Sequence, residues 1–141
     1  MNFSQFARPL CLTGLLLAST GAFAELSPAG DWRVADGTAT IRIHRCGGSA
    51  WCGRVVSTIT PAGKDLHNPD PRKRNRTVLG LEVLYGLHAN GANNWAGYSY
   101  NAQDGQTYTI SVSLQSAAAL RVQGCVPGGG ACGGETWTRV R

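Results

Sequence analysis

The stretch QTYTISVSL, Gln106–Leu114, alternates without a break. Tyr108, Ile110, Val112 and Leu114 fall on one side, and Thr107, Thr109, Ser111 and Ser113 on the other. Successive side chains of a strand point to opposite faces. A period of two with an apolar side and a hydroxylated side therefore marks a half-buried antiparallel strand. Asp104-Gly105, just before it, is a tight-hairpin dipeptide and ties it to the run Asn94–Asn101. One hairpin is not stable alone in water, so the rest of the chain must supply further strands.

It supplies them in both directions. Short runs of alternating character, separated by Gly, Asn or Asp, predict eight strands: Gly30–Ala35, Thr38–Cys46, Trp51–Thr60, Thr77–Gly86, Asn94–Asn101, Gln106–Leu114, Ala119–Val126 and Glu135–Val140. In the fourth, Leu79, Leu81, Val83 and Tyr85 read as one face. Asp36-Gly37 marks a second tight hairpin. Nothing reads as a long helix.

Eight sequential antiparallel strands can form a sandwich or an up-and-down barrel. The mostly short links between neighbours favour the barrel, because a Greek key needs long returns. The predicted fold class is all-β, a single eight-stranded antiparallel up-and-down barrel. Its interior can be filled by side chains or can hold one small ligand.

A barrel assigns its links alternately to two rims. The links holding Cys46 and Cys52 on one side, and Cys125 and Cys132 on the other, fall on opposite rims. Disulfide geometry forbids a bridge from one end to the other, so the barrel implies Cys46–Cys52 and Cys125–Cys132. Each closes a short loop and adds about 2 kcal/mol. The link between strands three and four carries DLHNPDPRKRNR, residues 65–76. It shares its rim with Asp36 and Asp104.

The chain begins with a leader. Arg8 precedes an apolar run through Leu15-Leu16-Leu17-Ala18, and Ala22-Phe23-Ala24 supplies the small residues a signal peptidase reads. The run is too short to span a membrane. Residues 1–24 are read as a signal peptide cut after Ala24, and residues 25–141 as one β-barrel domain. Removing Arg8 takes Lys+Arg from 13 to 12 against 8 Asp+Glu, a formal +4 for the mature chain. Cys11 leaves with the leader. Four cysteines then remain in an exported, periplasmic or secreted chain, where disulfides outrank zinc: the C-x5-C and C-x6-C spacings are not those of a zinc site.

No catalytic constellation is present. The chain has no Gly-x-Ser-x-Gly elbow, and its three histidines, His44, His67 and His88, lie on separate segments. Asp65, His67, Asn68 and Asp70 could ligate a metal, but their spacing misses the EF-hand, and Asp and Asn beside prolines bond their own turns. Four nearby cations would hold Asp65, Asp70 and Asp104 ionised, which suits ion pairs rather than proton transfer. The reading assigns no metal, no cofactor and no catalytic residue. Candidate ligand-binding residues are Asp65, Asn68, Asp70, Arg72, Arg74 and Arg76 of the long link, with Asp104 beside it. Nucleic acid is not an expected partner, because the aromatics lie in strands and not among the cations.

Two resemblances extend this reading. Gly30-Asp31-Trp32 at the first strand and Trp137-Thr138-Arg139 at the last resemble the calycin pattern of lipocalins, in which a G-x-W tryptophan plugs one barrel end under a basic residue from the last strand. Trp32 and Arg139 would then form the barrel closure, through a cation–π contact of about 1 kcal/mol. Five motifs in order, Gly30-Asp31-Trp32, Cys52-Gly53-Arg54-Val55-Val56, Asp65 with Asn68-Pro69-Asp70-Pro71, Asp104-Gly105-Gln106-Thr107-Tyr108, and Leu120–Cys125 followed by Glu135-Thr136-Trp137, resemble the exported bacterial family called domain of unknown function 2147. The likeness spans the mature chain. It implies export and a small β-rich domain and lends no catalytic residues. Cys132 departs from the pattern, where an aliphatic or aromatic residue is expected.

The expected function is that of an exported β-barrel binding protein, not an enzyme, taking a small apolar or aromatic ligand through the rim that carries residues 65–76. The alternative is recognition or inhibition of an envelope or secreted protein, or of an anionic envelope component, by the rim loops.

Overall fold

The computed structural model describes residues 27–141. The predicted leader, residues 1–24, and the cut after Ala24 lie outside them. Eight strands follow in order: β1 Gly30–Arg33, β2 Ala39–Gly47, β3 Ala50–Thr58, β4 Glu82–Ala89, β5 Asn94–Asn101, β6 Gln106–Ser116, β7 Ala119–Cys125 and β8 Cys132–Arg139. Each pairs antiparallel with the next, and β8 returns to β1, closing the predicted up-and-down barrel. Among the described residues no helix is long and apolar enough to cross a membrane.

β6 keeps the alternation that identified it. Ile110, Val112 and Leu114 are 7% exposed or less, and Val112 faces Trp95 on one side and Val122 on the other. Inward residues of all eight strands form one cluster. Trp32, Trp51, Trp95 and Trp137 all lie within it and are no more than 9% exposed. Side chains therefore fill the barrel below its mouth. Truncating one such tryptophan to alanine would cost about 3–5 kcal/mol.

The fourth strand departs from expectation. It runs Glu82–Ala89 instead of Thr77–Gly86. Leu79 and Tyr85 are 52% and 38% exposed, and the inward residues are Leu84 and Leu87. Two register shifts explain this: against β3, where Gly53 pairs with Leu84 but Arg54 with Glu82, and against β5, between Tyr85 and His88. Gly86 sits there at φ +61°, a conformation that favours glycine, and the extra residue lets two leucines three positions apart face the same side. His88, placed by the sequence reading in a link, lies in the strand. β8 starts at Cys132 rather than Glu135, because Gly133 and Gly134 pair with Gly124 and Gln123.

The disulfides are Cys46–Cys52 and Cys125–Cys132, as the alternation of rims requires. At the closed end Trp32 is fully buried, and its indole Nε1 donates to the Pro28 carbonyl at 2.8 Å. The Arg139 guanidinium lies 4.2 Å from the Trp32 ring centroid. It also donates to the carbonyls of Ala29 at 2.6 Å and Ala117 at 2.5 Å. These bonds stitch the N-terminal segment and the β6–β7 link across that end. The other end, with the β1–β2, β3–β4, β5–β6 and β7–β8 links, is the mouth.

Candidate functional site

The long β3–β4 link is a strap with a hydrogen-bonded neck. Lys64 bridges Thr77, and the Asp65 N–H donates to the Arg76 carbonyl at 2.9 Å. The ends of residues 65–76 are thus held together, as in a compact surface loop packed by its own side chains. Asp65 is fully buried and forms the hub. Its carboxylate accepts from the Tyr100 hydroxyl at 2.5 Å, Asn68 Nδ2 at 2.8 Å and Arg76 Nη2 at 3.0 Å. Burial pushes its pKa upward, but hydrogen bonds from Tyr100, Asn68 and Arg76 outweigh that and hold it below the usual carboxylate range. The converse holds for Tyr100: burial and the neighbouring Asp65 carboxylate push its hydroxyl up to about 12.

The rest of the strap is built on this hub. Asn68 is buried, and its side-chain oxygen accepts from the Asp70 N–H. Asp70 then caps a 3-10 turn, Pro71–Lys73, by accepting from the backbone and guanidinium of Arg72. Arg74 Nε donates to the Asn68 carbonyl at 2.7 Å. The β5–β6 turn abuts the strap at Gly105, whose φ is +70°. A Cβ there would stand 1.9 Å from the His67 carbonyl oxygen, so only glycine fits.

The strap divides the surface around the mouth in two. Inside it, a cavity of about 440 Å³ opens over the packed core, lined by Thr38, Val55, Pro61, Leu66, His67 and Val78 among others. Outside it, a groove of about 290 Å³ runs along the wall, where Lys73 and Arg76 face Tyr85, Tyr100 and Thr107. Tyr98 and Tyr100 occupy the outer face of β5, and Tyr98 stacks on Tyr85 with centroids 5.6 Å apart.

The sequence-predicted residues Asp65, Asn68, Asp70, Arg72, Arg74 and Arg76 are brought together, and every one is engaged by another member of the strap or by Tyr100. Asp104 sits beside them through Gly105, but its carboxylate accepts from Gln106 N and from the Tyr108 hydroxyl within its own hairpin. No acid faces a base across the cavity among these contacts. Among the described residues, one group of metal-ligating side chains converges, Cys46, Cys52 and Glu82, and its two sulfurs are joined in a disulfide rather than free as thiolates. Sequence reasoning missed Tyr100, Leu66 and Val78. Tyr100 carried the one usable signal, an aromatic on the wet side of β5.

Comparison with known proteins agrees with this architecture. Residues 30–139 match the family described as uncharacterized protein conserved in bacteria, DUF2147. Among solved structures, protein HP1028 from Helicobacter pylori, described as belonging to the lipocalin family, superposes with a TM-score of 0.73 at 23% identity, covering 82% of this chain and 84% of that one. At that identity the likeness concerns the fold. No curated protein matches the chain.

Proposed function

We propose that this chain, which belongs to the bacterial DUF2147 family, is an exported binding protein that takes a small apolar or aromatic ligand in the mouth of its barrel. The observation that carries the reading is the cavity of about 440 Å³ inside the strap. It lies within the range of small-molecule sites, about 300–1,000 Å³. Its lining alternates apolar groups (Val55, Pro61, Leu66, Val78) with hydroxyls and His67, a mixture suited to an apolar body with one polar end. The packed tryptophan floor keeps the ligand at the mouth rather than deep in the barrel, which narrows the expectation of an interior site. Leu66 is 63% exposed and is the natural apolar lid. Two disulfides support an oxidising compartment, periplasmic or extracellular.

The test is a panel of fatty acids, quinones and aromatic metabolites titrated into isotope-labelled protein. Amide shifts are expected at Val55, Leu66 and Val78. Leu66→Ser should weaken binding about tenfold or more, the loss of a buried leucine being worth about 1.5–3 kcal/mol. Shifts elsewhere, or affinity indifferent to Leu66→Ser, would refute the mouth as the site.

A second reading has its own observation. Ile59, Leu66 and Leu79 are 73%, 63% and 52% exposed, and all three belong to the β3–β4 link. Exposed apolar anchors in the same link as Arg72, Lys73 and Arg74 suit an envelope or secreted protein partner, or an anionic envelope component, bound by the rim. Arg74→Glu with Leu79→Ser should abolish capture of such a partner while leaving small-ligand binding intact.

A further inference from the structure

The barrel seam between β1 and β8 is closed over only part of its length. β8 spans Cys132–Arg139, whereas β1 is four residues long and pairs with it at Trp32–Arg139 and Arg33–Thr138. Beyond Arg33 the chain turns away, the Val34 N–H donating to Ala39 on β2. In an antiparallel strand the backbone groups of alternate residues point to alternate sides. Arg139 N donates to Ala118 towards β7, and Val140 N donates to Asp31 towards β1. The N–H and C=O groups of Gly134 and Thr136 therefore face the β1 side, and among the described residues neither group has a backbone partner there.

Among the described residues this edge lacks the usual protection, and Cys132–Thr136 are exposed. Free edges are blunted by lysine, proline, bulges or a covering loop. Here the sequence is Cys132-Gly133-Gly134-Glu135-Thr136 and the β7–β8 register runs unbroken over seven pairs. The Cys125–Cys132 disulfide joins directly opposed residues at the open end of that ladder. It holds the edge straight before anything binds, which reduces the ordering cost of association.

Charge selects the occupant. Arg121 faces Thr136 on the outer side of the ladder, and its guanidinium lies 2.9 Å from where a Cβ on Gly134 would stand. Arg33, exposed, flanks the edge where β1 stops. On the inner side the exposed Glu135 carboxylate accepts from the Trp137 indole Nε1 at 2.5 Å, and its charge repels acidic groups and leaves that side to uncharged ones. We propose that the free half of β8 is a strand-addition site for an extended peptide with acidic residues on alternate positions and apolar residues between them. Backbone hydrogen bonds to Gly134 and Thr136 supply the affinity, and Arg121 and Arg33 supply the selection. A second copy of this chain is disfavoured, because it would bring the same arginines together.

The probe is a blocked, fluorescein-labelled seven-residue peptide of alternating valine and glutamate, with a valine–lysine peptide as control. Anisotropy should show saturable binding of the first, at least tenfold weaker binding of the second, and at least a tenfold loss with Arg121→Glu. Thr136→Pro deletes an N–H that faces away from β7, a position where an edge strand tolerates proline, and should abolish binding without unfolding the barrel. The proposal falls if Thr136→Pro binds as tightly as the parent, if the lysine peptide binds as well as the glutamate one, or if no binding occurs up to millimolar peptide. Self-association of the parent that Thr136→Pro removes would overturn it too, in favour of a second copy. Should the proline variant not fold, Arg121→Glu decides alone.

Discussion

Removing one oxygen tests the hub of the strap. Tyr100→Phe leaves the ring on the outer face of β5 and deletes the hydroxyl that donates to the buried Asp65 carboxylate at 2.5 Å. A hydrogen bond to a charged, buried group is worth about 1.5–3 kcal/mol, which puts the cost near 2 kcal/mol. Urea unfolding followed by tryptophan fluorescence at pH 7 should show a lower midpoint and an unchanged slope. The pH dependence is a second readout. A tyrosine whose folded pKa is raised contributes stability that is whole below about pH 10 and is lost as the pH climbs through about 12. The gap between parent and Tyr100→Phe should be flat from pH 6 to about 9 and close above 10. A variant within about 0.5 kcal/mol of the parent, or a gap that does not narrow in alkali, would refute the hub.

Asp65→Asn should act at the other end of the scale. The carboxylate's lowered pKa gives stability that is present above about pH 4 and lost as the pH falls below it, so the parent should lose its advantage over the variant in acid titrations of stability. Gly105→Ala should destabilise by about 2 kcal/mol or more in the same urea assay, because a Cβ would meet the His67 carbonyl at 1.9 Å on a backbone at φ +70°. Arg139→Ala should cost about 2–3 kcal/mol by loosening the closed end, where the guanidinium holds two carbonyls and the Trp32 ring, and should raise hydrogen exchange at Ala29–Asp31. Cys132→Ser should lower stability by about 2 kcal/mol in oxidising buffer and make no difference in reducing buffer.

Local rules carried the sequence reading a long way. The two-residue period of Gln106–Leu114, the Asp-Gly turns and short links led to eight strands and a barrel, because side-chain direction along a strand is a local property. The disulfide pairing followed, because two cysteines at opposite barrel ends cannot meet. The membership of the strap was also legible, its residues being adjacent in the chain. What failed was local reading across an irregularity. In β4 an extra residue between Glu82 and Leu84, and a second at Gly86 with φ +61°, break the alternation, and faces read across them change sides.

Other features were beyond any local rule. The partner of Asp65 is Tyr100, 35 residues away on the outer wall, and no pattern in either segment announces the other. Whether the tryptophans line a hollow or fill it depends on the volume enclosed by all eight strands at once. The free half of β8 exists only because β1 stops after four residues, a mismatch between the first and last strands. Chain chemistry determined the strands, the bridges and the caps. Tertiary closure alone decided the location of the cavity, the burial of Asp65 under Tyr100 and the opening of the seam, because each depends on distances between segments that the sequence leaves far apart.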